Sequence, residues 1–161
     1  MEFKIAELTL RQGGLGICPM PGRSGDYADD LAVIAAWHPD LVLTMTSMDE
    51  LRVKGAASLK ADLAAHGIAW AHLPIADFGI PGGNVQAAWP KVSTQAHTIL
   101  ARGGKVLAHC MGGCGRSGTA VMRLMVEAGE TPEAGLTRLR AVRPCAVETP
   151  AQFAWASQIS P

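Results

Sequence analysis

With 161 residues, 48% of them hydrophobic and 17% charged, the chain has the size of one domain with room for a sizeable core. Fourteen basic and fourteen acidic side chains cancel, so the charge balance favours neither nucleic acid nor an anionic membrane surface. No apolar run has bilayer length, and the opening Met1-Glu2-Phe3-Lys4-Ile5 is unlike a signal peptide. Cys18, Cys110, Cys114 and Cys145 do not make a secreted disulfide pattern. The expectation is a single domain over residues 1–161, located in the cytoplasm.

Residues 3–10 and 15–18 read as short strands, and 26–37 as a helix with Tyr27, Leu31, Ile34 and Ala35 on one face. The apolar stretch 41–45 predicts a buried strand whose end, Thr46-Ser47-Met48-Asp49, turns into a short helix. A helix over 56–66 closes at Gly67, and a strand over 68–75 runs into Ala76-Asp77-Phe78-Gly79-Ile80-Pro81. Residues 84–101 carry Val85, Trp89, Val92, Ala96 and Ile99 at helical core spacing, with Pro90 predicting a kink or break. A strand at 104–108 and a glycine-rich loop follow. Helices are then expected at 116–129, 132–141 and 149–158, with Pro132 and Pro150 at their starts and Thr149 as an N-cap. This alternation implies an α/β fold, a mostly parallel sheet flanked by helices, with ligands at the C-terminal strand ends. Trp37, Trp70, Trp89 and Trp155 fall at packing positions.

The loop His109-Cys110-Met111-Gly112-Gly113-Cys114-Gly115-Arg116-Ser117-Gly118 carries the chemistry. Strand, tight loop and helix N-terminus turn successive backbone N–H groups toward one anion. A free cysteine is mostly thiol at neutral pH, and a helix N-terminus, convergent donors and an arginine all favour its thiolate. Cys110 stands at the start of such a loop. The glycines permit close backbone approach, and Arg116 offers a planar fork that matches two phosphate oxygens. Met111, Gly112, Gly113, Cys114 and Gly115 would line the anion. Ser117 can hydrogen-bond the sulfur and ease its departure, and His109 is assigned to ordering the loop.

Cys110, Gly113, Arg116 and Ser117, preceded by His109, resemble the signature of the cysteine-dependent protein tyrosine phosphatase superfamily. The segment His72-Leu73-Pro74-Ile75-Ala76-Asp77 looks like its general-acid loop, 33 residues upstream of Cys110. A carboxylic acid there would protonate the leaving oxygen, an effect worth about 10²–10⁴ in rate. The wording of the motifs is most similar to the dual-specificity branch, nearest the cyclin-dependent-kinase-associated phosphatase group. The resemblance implies a phosphomonoesterase acting on phosphotyrosine, and also on phosphoserine or phosphothreonine, through a phospho-cysteine. It implies no cofactor or metal, and a phosphorylated protein or small phosphomonoester as partner. It also makes Gln152 a candidate for positioning the hydrolytic water, against an ordinary surface helical role, and Arg143 a clamp near the loop. The loop interior contains no charge, which argues against a polyphosphoinositide headgroup.

Other readings compete. A rhodanese-like sulfurtransferase or an arsenate reductase also places a reactive cysteine in an anion cradle, but needs no acid at Asp77. A non-catalytic phosphate-binding module is the third class. Cys114 is read as a small side chain that fits the loop, the alternative being a redox partner that captures oxidised Cys110 as a disulfide. Arg23 is read as part of a solvated turn, the alternative being the cleft rim, and Arg52 and Lys54 as charged surface. His38, His66 and His97 lack ligand spacing.

Overall fold

Apolar residues at successive positions of the inner strands require cover on both sheet faces. In the computed structural model, which describes residues 2–158, five strands form one sheet in the order β1-β2-β5-β3-β4. They are β1 (Ala6–Leu10), β2 (Gly13–Cys18), β3 (Leu41–Thr44), β4 (Ala69–His72) and β5 (Lys105–His109). β2, β5, β3 and β4 are parallel. The edge strand β1 is antiparallel to β2, so the sheet is mixed with a parallel centre.

Seven helices complete the described chain: α1 (Tyr27–Trp37), α2 (Met48–Val53), α3 (Leu59–Ala65), α4 (Gly83–Ala101), α5 (Gly115–Glu127), α6 (Pro132–Val142) and α7 (Pro150–Ala156). Leu41 and Leu43 of β3 and Val106 and Ala108 of β5 join one core with Trp89, Ile99, Val121, Leu139 and Trp155 from α4 to α7. Val42 and Leu107, on alternate positions, join the other with Ile34, Leu51, Leu59 and Leu63 from α1 to α3. The period of two along each strand thus divides the helices between two layers.

Two expectations shift. α4 runs unbroken through Pro90. Pro90 and Gln86 both lie on its exposed face, so water can meet the Gln86 carbonyl that loses its helical donor. α3 begins at Leu59 rather than 56, because Ala56 N–H turns back to Leu51 O at 2.8 Å. Of the tryptophans, Trp89 and Trp155 are buried and pack edge to face at 5.3 Å, whereas Trp37 and Trp70 are only half-buried.

The last layer is held by a polar knot that sequence patterning does not show. Glu127 of α5 accepts from Trp89 Nε1 at 3.0 Å, Ser93 Oγ at 2.6 Å and Arg123 Nε at 3.2 Å. Arg123 also donates to Trp155 O at 2.8 Å and lies over the Trp155 ring. Burial opposes ionisation of Glu127, yet these donors and His97 bring its carboxyl down to about 2.

Candidate active site

β5 ends at His109, and the chain turns through residues 110–114 into the first turn of α5. The outward carbonyls of this loop are all engaged. Met111 O accepts from Met20 N at 3.0 Å and Cys114 O from Val147 N at 3.1 Å. Gly112 O and Gly113 O accept from Arg143 at 2.8 and 2.9 Å. With the carbonyls tied to neighbouring segments, the peptide N–H groups are left to serve an anion in the loop. Gly113 has φ +72°, and a Cβ there would come within 2.6 Å of the Cys18 and Pro19 backbone, so glycine alone fits.

Cys110 is buried, with Sγ 3.1 Å from Ser117 Oγ. Arg116 is 1% exposed. It donates to Glu50 Oε1 and Oε2, each at 2.9 Å, and to Ile75 O at 2.8 Å. Burial opposes the Arg116 charge, but Glu50, together with the Cys110 and Asp77 charges, raises its pKa. Arg116 in turn holds the Glu50 carboxyl below the usual range. Glu50 is itself fixed by a capping box with Ser47 at the start of α2. Arg116 Nε is buried with no hydrogen-bond partner. Such a donor costs about 1–3 kcal/mol unless something accepts from it, and an anion in the loop would do so.

His109 forms the end of a relay. Trp70 Nε1 donates to Thr44 Oγ1 at 2.7 Å, and Thr44 Oγ1 lies 2.7 Å from His109 Nε2. His109 Nδ1 lies 3.2 Å from Cys110 O. A neutral ring that accepts at Nε2 and donates at Nδ1 satisfies every member. Burial pushes its pKa down to about 4, so the ring orders the loop rather than exchanging protons at neutral pH.

Asp77 lies beyond β4, its side chain 63% exposed and its Oδ1 3.6 Å from Arg116 Nη2. Phe78, with φ 60°, is 61% exposed beside it. Both line a cleft of about 520 Å³ together with Cys110, Met111, Gly112, Cys114 and Gly115. Gln152 does not line it. Gln152 is fully buried, accepts from Glu148 N and Thr149 N at 2.8 and 3.2 Å, and donates to Gly79 O at 3.1 Å. Its amide therefore ties the Asp77 loop to α7 and caps that helix, a use of the side chain that spacing alone does not suggest.

Glu50 was not legible as a site residue, although Ser47 and Glu50 announce the capping box that places it. Cys114 is bonded to Cys145, 31 residues on, with Cα atoms 5.1 Å apart, and Cys110 is free. This bond corrects the reading of Cys114 as a lone small side chain and of the cysteines as unpaired; the alternative partner, Cys110, is not the one bonded, because Arg143 holds the segment carrying Cys145 against the loop. Cys18 is also free, and burial, with the Cys110 charge adding, pushes its thiol up and keeps it protonated. Arg52 is exposed and paired with Asp49.

No helix among the described residues is long and apolar enough to cross a membrane. No curated protein matches the chain. Among solved structures, it is similar to kinase associated phosphatase (KAP) with its catalytic-site cysteine changed to serine. That match has TM-score 0.84 and 24% identity, over 97% of this chain and 93% of that one. Tk-PTP in its active form matches at TM-score 0.73 and 29% identity, over 93% and 92%. PTPMT1 in complex with PI(5)P matches at 0.74 and 18%, over 94% and 92%. The matches lend no support to a sulfurtransferase or arsenate reductase. The Tc-R-P family model, described as polymorphic toxin system, DSP-PTPase phosphatase, matches residues 18–130. The chain belongs to this family and is a cysteine-dependent phosphatase.

Proposed function

We propose that the protein hydrolyses phosphotyrosine in protein substrates, with capacity for phosphoserine or phosphothreonine, through a phospho-cysteine on Cys110. The observation that carries this reading is the buried, unpartnered Arg116 Nε beside the Cys110–Ser117 pair. Arg116 and the loop amides of Met111 to Gly115 hold the non-bridging oxygens, and the Cys110 thiolate attacks phosphorus in line. The P–O ester bond breaks as Asp77 gives its proton to the leaving oxygen. Asp77, now a carboxylate, takes a proton from water as that water attacks the phospho-cysteine. The P–S bond breaks, Ser117 Oγ–H stabilises the departing thiolate, and inorganic phosphate leaves.

The exposed Phe78 ring beside Asp77 supports an aromatic leaving group, which it can contact edge or face on. Gln152 acts by holding the Asp77 loop through Gly79; it could orient water only after that contact opens. The whole chain works as one phosphatase domain. A reducing compartment such as the cytoplasm keeps the free Cys110 thiolate intact and is our proposed site of action, where the Cys114–Cys145 bond would form only on oxidation.

The test is Cys110→Ser. Turnover of p-nitrophenyl phosphate and of phosphotyrosine peptides should vanish while the variant still binds a phosphotyrosine peptide in calorimetry. Retained turnover in Cys110→Ser would refute the nucleophile assignment.

A further inference from the structure

Arg23 stands at the rim of the cleft that contains Cys110. Its guanidinium lies 3.5 Å from the point where a Cβ on Gly112 would sit, directly above the first half of the phosphate loop. Its backbone is held firmly. Arg23 N–H donates to Met20 O at 3.1 Å, Met20 N–H reaches Met111 O at 3.0 Å, and Gly22 N–H donates to the buried Asp30 carboxylate at 2.8 Å. The turn is therefore hydrogen-bonded to the loop at Met111. The other two arginines at the loop are fixed in place: buried Arg116 by Glu50 and Ile75, with only its Nε open toward the loop, and Arg143 by the Gly112 and Gly113 carbonyls. The Arg23 side chain is exposed and has no hydrogen-bond or ion-pair partner among the described residues.

The opposite charge marks another part of the same rim. Glu148 lines the cleft and its carboxylate packs over Gly115. An anionic group on a bound substrate is repelled there and attracted at Gly112. Resting on the phosphatase reading above, we infer that Arg23 is a specificity residue that receives a second anionic group of a phosphopeptide. That group is a carboxylate or second phosphate on a residue flanking the scissile phosphoresidue. The cleft is thus polarised, accepting acid on the Arg23 side and excluding it on the Glu148 side. Arg23 takes no part in bond making; it binds the substrate beside the reaction.

The experiment compares the full chain with Arg23→Glu and Arg23→Ala on p-nitrophenyl phosphate and on phosphotyrosine peptides. The flanking residues are all alanine, or glutamate, or a second phosphoresidue, at each position in turn. The wild type should favour at least one acidic flank by about three- to tenfold in kcat/KM, carried mostly by KM and shrinking in high salt. The glutamate and phosphoresidue arms show which source of negative charge is preferred. Arg23→Glu should abolish or invert the preference while p-nitrophenyl phosphate turnover stays within about twofold. An acidic-to-neutral ratio unchanged by Arg23→Glu overturns the inference. Equal losses on p-nitrophenyl phosphate and all peptides overturn it too, by placing Arg23 in the catalytic loop. So does an Arg23 effect confined to a soluble inositol phosphate, which would make the ligand a lipid headgroup. Absence of any turnover by the wild type would instead defeat the phosphatase reading on which the inference rests.

Discussion

Arg116 and Glu50 meet through two parallel hydrogen bonds of 2.9 Å, with the arginine sealed from solvent and the glutamate supplied by a helix 66 residues earlier in the chain. The pair aims the guanidinium while leaving Nε free. Glu50→Ala should therefore unseat Arg116 and leave buried donors without their partner, weakening the fold by about 1–3 kcal/mol. Phosphate and vanadate affinity should fall with kcat/KM by roughly 10–100-fold. Denaturant titration and vanadate inhibition measure the two effects separately. Unchanged vanadate inhibition in a folded variant would remove Glu50 from this positioning role.

Asp77 should matter in proportion to how badly the leaving group needs a proton. Asp77→Asn is expected to slow phenyl and alkyl phosphates by about 10²–10⁴ and p-nitrophenyl phosphate much less. A plot of log kcat/KM against leaving-group pKa should steepen in the variant. A slope equal to that of the wild type would exclude Asp77 as the acid.

Gln152 combines two jobs that one substitution can part. Gln152→Glu keeps the acceptor for Glu148 N–H and Thr149 N–H but removes the Nε2 donor to Gly79 O. Stability should fall by at least about 1–3 kcal/mol, because the new carboxylate is buried facing the Gly79 carbonyl, and the rate on poor leaving groups by several-fold. Gln152→Ala loses both contacts without burying a charge and should cost about 1–3 kcal/mol. If Gln152→Glu changes good and poor leaving groups alike, the side chain does not act through the Asp77 loop.

Acid should weaken the protein in two windows. His109 is held at about 4 when folded, against about 6.5 unfolded. Below pH 6.5 the unfolded chain takes a proton that the folded one refuses, so stability falls until pH nears 4, by on the order of 3 kcal/mol. Glu127, at about 2 when folded, contributes stability that is intact above its unfolded value near 4.3 and is lost as pH falls toward 2. Thermal melts of wild type and Glu127→Gln should draw together as pH falls from about 4 and converge near pH 2. A His109 imidazole that titrates near 6.5 by NMR would contradict the first window.

The Cys114–Cys145 bond closes a loop spanning 31 positions, so chain-entropy arguments give it roughly 3–4 kcal/mol. Cys145→Ser, or mild reduction of the wild type, should lower Tm without removing the Cys110 thiol. Activity per folded molecule should persist in reductant. Equal Tm with and without reductant would show that the bond does not brace the loop.

Local patterning carried a large part of this molecule. Strand and helix types, the parallel sheet and the phosphate loop could be read because each depends on neighbours within a few residues. Periodicity sets the buried faces, glycines allow the turn, and a cysteine and arginine at the right separation span one anion. Asp77 stood out only through the resemblance of its segment to a general-acid loop, since a polar residue at a strand end is by itself an ordinary solvated turn. The partners of those residues were not. Glu50 and Gly79 reach the loop only because β3, β4 and β5 lie side by side and bring their C-terminal ends together, and Cys145 because Arg143, the clamp the resemblance implied, ties the segment after α6 to the loop carbonyls. Glu127 binds Trp89 and Ser93 across two helices for a similar reason. Sequence alone determined which groups could perform the chemistry. Tertiary structure decided which donors are already used, since hydrogen bonds between distant segments depend on packing that no local pattern records. The Arg116 Nε left open, the amide of Gln152 spent, and Arg23 free at the rim follow from that packing.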